Sequence, residues 1–137
     1  MKIEKTLNVP SPVFFDKIID SVIFDIRKAT GKTVSRKQLA GYEYVKEFSA
    51  SSRAKIKIEE VIENQVYQFR TETTKNEIVV RYELETINEK QTKVIYTETM
   101  KSFGILQQMN DMLLGTILGY FKRKQFKKML VMMEESY

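Results

Sequence analysis

The sequence predicts an α+β fold: a curved antiparallel β-sheet of about six strands wrapped around a long C-terminal helix, in the order β-α-α-β5-α. Three observations carry this. Apolar residues between Tyr42 and Met100 recur with a period of two, in five runs separated by short polar breaks. A helical period fills the stretch from Pro12 to Gly31, after a short alternating N-terminal segment. A second helical period runs from Leu106 past Met129 and has a broad apolar face.

In residues 2–9, Ile3, Leu7 and Val9 share one face with Lys5, while Glu4, Thr6 and Asn8 face away, as in a half-buried strand. Pro10-Ser11-Pro12 opens a helix, with Ser11 expected as N-cap and Pro12 at the first helical position. Phe15, Ile19, Val22 and Ile26 form its apolar stripe, widened by Phe14, Ile18 and Ile23. Arg27 and Lys28 suit the C-terminal dipole and Gly31 suits the stop. Ser35-Arg36-Lys37-Gln38 fits a capping box for one short turn through Leu39.

The period then becomes two. Tyr42, Tyr44 and Phe48 share a face, as do Ile56 with Ile58, Tyr67 with Phe69, Val80 with Tyr82 and Leu84, and Val94 with Tyr96 and Met100. Ser49 to Ser52, Glu63-Asn64, Lys75-Asn76 and Asn88 to Gln91 separate the runs, which predicts an antiparallel meander. One face is apolar and needs a cover. Leu106, Met109, Leu113, Ile117 and Tyr120, beside a second row of Leu114, Leu118, Phe121, Met129 and Met132, provide it as one long helix.

Composition excludes more than it assigns. The 137 residues suit one domain, expected to span 1–137. With no cysteine and no histidine, disulfides, thiolate nucleophiles, Cys-ligated zinc and the usual general base near neutral pH are all ruled out. No cofactor and no transition metal are expected. The N-terminus lacks a signal-peptide apolar run, and Met112 to Phe121 is shorter than the about 20 residues that span a bilayer. A cytoplasmic protein without stable membrane insertion is expected. The net charge of +5 does not by itself indicate nucleic acid, and none is expected as a partner. P-loop, GxGxxG, nucleophile-elbow, HExxH and EF-hand patterns are absent, and the Gly-Lys-Thr at 31–33 ends a helix instead of starting one.

This order of elements resembles the helix-grip fold of the START / Bet v 1-like (SRPBCC) superfamily, which includes polyketide cyclases and activators of the Hsp90 ATPase. The passage Val9-Pro10-Ser11-Pro12-Val13-Phe14 from strand into helix is similar to that superfamily's usual start. Within it the chain looks like a bacterial family of unknown function, on Asp25-Ile26 with Thr30-Gly31-Lys32, Gly41-Tyr42 with Tyr44, Tyr82-Glu83, Tyr96-Thr97-Glu98 and the Asn110-to-Lys128 helix. The resemblance implies an elongated apolar cavity between sheet and helix, and implies a scaffold more than a chemistry.

The candidate cavity wall is Tyr44, Tyr67, Phe69, Tyr82, Tyr96 and Glu98 on the sheet, with Tyr42 nearby, facing Leu113, Ile117 and Phe121 on the helix. Tyrosine suits such a wall because its ring is apolar and its hydroxyl orients a ligand. The same pattern also fits a filled core. Glu98 falls on the face of Tyr96, where a buried carboxylate needs a partner, and Lys5 is the candidate; the alternative is a strand-end residue reaching solvent. Lys122, Arg123, Lys124, Lys127 and Lys128 scatter around their helix and read as a solvated last stretch, in place of a phosphate-binding stripe. Met129, Met132 and Met133 read as core filler. The leading expectation is an uncharacterised binding module for a small apolar or amphipathic molecule. The alternative is a protein-interaction domain of co-chaperone or regulatory type. A cyclase- or hydratase-type enzyme using tyrosines and Glu98 is third, disfavoured by the missing histidine and cysteine.

Overall fold

The computed structural model describes residues 1–50, 52–103, 124 and 126–135. The element order is β1 (Lys2–Leu7), α1 (Ser11–Thr30), a 3-10 turn (Arg36–Gln38), β2 (Glu43–Ser49), β3 (Ser52–Ile62), β4 (Val66–Glu72), β5 (Asn76–Asn88) and β6 (Gln91–Ser102). Residues 126–135 are helical. The expected helical rows from Leu106 to Phe121 lie outside the described residues, as do Lys122 and Arg123 and the side chain of Phe48.

All six strands form one curved antiparallel sheet in the order β1-β6-β5-β4-β3-β2, so the meander is complete and the first strand returns beside the last. The turns follow local chemistry. Asn64 adopts φ 60°, a left-handed conformation that asparagine tolerates, and Gln65 N–H closes the turn on the Ile62 carbonyl at 2.9 Å. Gly31 at φ 75° ends α1, its N–H donating to the Arg27 carbonyl. The Ser35 N–H donates to Gln38 Oε1 at 2.9 Å, the reciprocal arm expected of the capping box.

Alternation divides the sheet. Ile3, Leu7, Tyr44, Ile56, Ile58, Tyr67, Val80, Leu84, Val94 and Tyr96 are buried on the inner face. The outer face carries ion pairs within and across strands. Arg70 lies between Glu59 and Glu77, and Arg81 lies between Glu60 and Glu83. Bulges at Glu47/Ser49, Ile58/Glu60 and Thr86/Asn88 shift the register. Phe15, Ile19 and Ile26 of α1 and Leu39 pack against the inner face.

Several expectations are corrected. Ser11 is not the N-cap of α1; Pro10 holds that position and makes no side-chain cap bond. The reason is that the buried Ser11 hydroxyl is engaged elsewhere, 2.8 Å from both Thr86 Oγ1 and Thr92 Oγ1, while the Thr92 hydroxyl donates to the Val9 carbonyl at 2.7 Å. Strand β1 ends at Leu7, two residues early, although Val9 is buried. Met100 keeps the alternation but is 47% exposed, because it lies past the last β1–β6 pair at Thr97. Lys5 stands opposite Val94, whereas the Met1 and Glu98 main chains bond each other, so the two roots lie about 13 Å apart along the strand and the register does not pair them.

The C-terminal segment shows a different helical phase from the one expected. Phe126, Leu130 and Met133 turn inward, Leu130 completely buried, while Met132 is 60% exposed. The spacing of four and three is helical, but which stripe faces the sheet is set by docking. Phe126 lies against Tyr96 and Tyr82, with ring centroids 4.1 and 6.1 Å away. At the other end Glu134 accepts the Asn8 main-chain N–H at 3.0 Å and its Nδ2 at 3.2 Å. The segment thus crosses the inner face from β5 and β6 to the end of β1.

Candidate functional site

A pocket of about 460 Å3 opens between α1, the β2–β5 side of the inner face and the C-terminal segment. Helix α1 contributes Phe14, Lys17, Ile18, Ser21, Val22 and Asp25, a stripe with alternating steps of three and one that runs beside the core stripe of Phe15, Ile19 and Ile26. The strands contribute inward positions, Tyr44 with Lys46, Ile56, Tyr67 with Phe69 and Thr71, and Tyr82. Met129 and Met133 close a further side.

Four expected residues, Tyr44, Tyr67, Phe69 and Tyr82, therefore meet around this space. Tyr96 and Glu98 are not among its lining residues; Tyr96 lies under Phe126, and half-buried Glu98 acts on the Tyr82 and Tyr96 hydroxyls through its charge. Leu113, Ile117 and Phe121 lie outside the described residues. Lys124, Lys127 and Lys128 are exposed.

Sequence reasoning missed the polar end of the pocket. The Tyr44 hydroxyl donates to Asp25 Oδ2 at 2.6 Å, and the Lys46 ammonium donates to Asp25 Oδ1 at 2.6 Å. These contacts tie α1 to the edge strand β2. A signal existed. Lys46 continues the inward register of Tyr42 and Tyr44, and Asp25 stands at helical spacing from Ile18 and Val22, so each is a charge on an otherwise apolar face.

The electrostatics follow from partial burial. Desolvation opposes the charged form of Asp25, but hydrogen bonds from Lys46 and Tyr44 and the Lys46 charge outweigh it and hold the carboxyl below its ordinary value. Burial, and then the bond to Asp25, pushes the Tyr44 hydroxyl well above the ordinary tyrosine value. Burial does the same for Tyr67. Tyr82 is pushed up to about 12 by burial and by the charge of Glu98, and Tyr96 rises for the same two reasons. These tyrosines stay neutral near pH 7 and act as hydrogen-bonding groups, not as bases. Among the described residues no three acidic side chains converge as metal ligands, and no helix is long and apolar enough to cross a membrane. A second recess is lined by Asn8 and by the Asn88-to-Gln91 turn.

Fold and site together define an α+β protein of Bet v 1-like architecture: a six-stranded antiparallel sheet with helices on its inner face. The model of the family described as "Domain of unknown function (DUF3284)" matches residues 1–119, and the chain belongs to that family. No curated protein matches it. Among solved structures it is similar to the Mll3558 protein from Rhizobium loti, with a TM-score of 0.59 and 18% identity over 96% of this chain and 94% of that one. It is also similar to Ara h 8.0201, with a TM-score of 0.56 and 15% identity over 90% and 92% of the two chains. The Aha1 dimer from Colwellia psychrerythraea gives 0.55 and 13% over 99% and 93%. At these identities the likeness shows the fold.

Proposed function

We propose that this chain is a single-domain, non-enzymatic, cytoplasmic binding module for a small amphipathic molecule, held between α1, the inner sheet face and the C-terminal helix in the helix-grip manner. The observation that carries this reading is the pocket itself. Its volume of about 460 Å3 falls within the roughly 300–1,000 Å3 of small-molecule sites. Its walls are largely apolar and aromatic, with a polar end where Asp25, Tyr44 and Lys46 gather. Apolar walls supply affinity and a few convergent polar groups supply orientation. Tyr44, Tyr67, Phe69 and Tyr82 are the proposed sheet wall, to which the sequence adds Leu113, Ile117 and Phe121. The likeness to the Aha1 dimer supports a second reading, a protein-interaction domain.

Titration with a neutral solvatochromic dye such as Nile red separates the two. The parent protein is expected to bind the dye. Val22→Trp, which puts an indole into the pocket, is expected to abolish binding without lowering the melting temperature, because the added bulk enters open space. In a packed core the same change costs about 1–3 kcal/mol. A destabilised variant together with no dye binding by the parent moves the assignment to an interaction domain.

A further inference from the structure

Two tyrosines of the same pocket differ in what their hydroxyls meet. We infer that the ligand is an uncharged, mainly apolar molecule carrying an acceptor oxygen, of which a carbonyl is the simplest, and that this oxygen receives the proton of the Tyr67 hydroxyl. This inference rests on the pocket reading above and deepens it by naming the ligand's polar group.

The Tyr44 hydroxyl donates to Asp25 Oδ2 at 2.6 Å. Tyr67 lines the same pocket and is only 4% exposed, yet its hydroxyl makes no hydrogen bond to any described residue. Its ring lies between two other aromatic rings, those of Phe69 and Tyr82, with centroids 5.5 and 6.2 Å away. A hydroxyl buried this far is ordinarily hydrogen-bonded, so one without a protein partner marks a place for an outside one. Burial first, then neighbouring Tyr82 and the Asp25 charge, push the Tyr67 hydroxyl up. It therefore keeps its proton near pH 7 and lies within electrostatic reach of the pocket's polar end. The charges of the lining, by contrast, are already engaged. Asp25 accepts at both carboxylate oxygens, from Tyr44 and from Lys46, and neither Lys46 nor Lys17 is without a partner. A charged head group would have to break an existing contact or be buried uncompensated, and burying a charge without a partner is strongly unfavourable. A neutral oxygen at Tyr67 incurs neither cost, and Phe14, Ile18, Val22, Ile56 and Met129 receive the apolar body.

The experiment is displacement of bound Nile red at pH 7 by naphthalenes that differ in one substituent: 2-acetylnaphthalene, 2-ethylnaphthalene, 2-naphthoate and 2-naphthylmethylammonium. Each is measured on the parent and on Tyr67→Phe, with the affinity of each protein for the dye itself taken into account. Tyr67→Phe is expected to weaken the acetyl compound about fivefold more than the ethyl compound, the effect of one neutral hydrogen bond. The parent is expected to bind the acetyl compound more tightly than either charged one. The melting temperature of Tyr67→Phe is expected to equal or exceed the parent's, since the substitution removes a hydroxyl that bonds no described residue. Equal weakening of the acetyl and ethyl compounds, no displacement by the acetyl compound, tighter binding of either charged one to the parent, or a clearly lower melting temperature overturns the inference and leaves the pocket reading standing. Failure of the parent to bind the dye at all overturns both.

Discussion

Tyr96 and Tyr44 occupy the same kind of position, an inward-facing tyrosine on an antiparallel strand, at opposite sides of one sheet. Their surroundings differ. Tyr96 is capped by Phe126 with ring centroids 4.1 Å apart, and Tyr82 lies edge-on to it at 5.0 Å. Tyr44 instead points its hydroxyl at Asp25 across the mouth of a pocket. On the β1–β6 side, the C-terminal segment fills the inner face with Phe126 and Leu130. On the β2–β4 side, the Phe15, Ile19 and Ile26 stripe of α1 packs on the sheet, but the neighbouring stripe leaves a pocket, and a charged cluster bridges helix and strand at its polar end. Aromatic residues at period two therefore build either a core or a pocket wall, and what covers them decides which.

The comparison makes graded predictions. The largest effect belongs to the filled side. Leu130→Ala removes a completely buried side chain and is expected to cost about 3 kcal/mol by urea denaturation, whereas Val22→Ala on the pocket wall is expected to cost about 1 kcal/mol or less. Equal costs would mean that the two sides are equally packed. Next in size is the hydroxyl trio beneath the start of α1. Ser11→Ala and Thr92→Val are each expected to cost about 1–2 kcal/mol, since each leaves a buried partner unsatisfied. A helix cap would be sensitive to the serine alone, so a silent Thr92→Val would argue against the network.

The smallest effect tests the charged bridge. The folded carboxyl of Asp25 lies below its ordinary value, so it contributes stability above the unfolded value of about 3.9, and loses it as pH falls through the folded value. Asp25→Asn is expected to lower the urea midpoint at pH 7 by an amount within the exposed-pair range of about 0.2–1 kcal/mol, and to match the parent at pH 2. The same variant sharpens the tyrosine comparison at high pH. Absorbance at 295 nm should show Tyr44 ionising earlier in Asp25→Asn, because its acceptor charge is gone, while Tyr82 keeps its value of about 12, which burial and Glu98 set. These raised hydroxyl values stabilise the fold below about pH 10 and cease to as pH climbs through them, so alkaline unfolding should begin once unfolded tyrosines ionise.

Much of this was present in local sequence. The β2-to-β6 meander follows from alternation in Tyr42 to Met100, and the stop at Gly31 follows from a residue that adopts positive φ without strain. The pocket tyrosines were found by the same period. The pairing of Asp25 with Lys46 is not legible in the same way, because the two lie on a helix and a strand whose approach no local pattern encodes.

Sequence by itself determined the class of the fold, the strand order of the meander and which face of each strand is apolar, because backbone periodicity and turn chemistry act over a few residues. Tertiary structure decided three further matters. It assigned the Ser11 hydroxyl to Thr86 and Thr92 instead of a helix cap. It selected Phe126, Leu130 and Met133 over Met132 as the buried stripe of the last helical segment. It docked α1 on the sheet by one stripe, so that a pocket remained beside it. Each depends on how two distant elements dock, and docking is governed by the summed shape and charge of both surfaces, which no single segment of the chain contains.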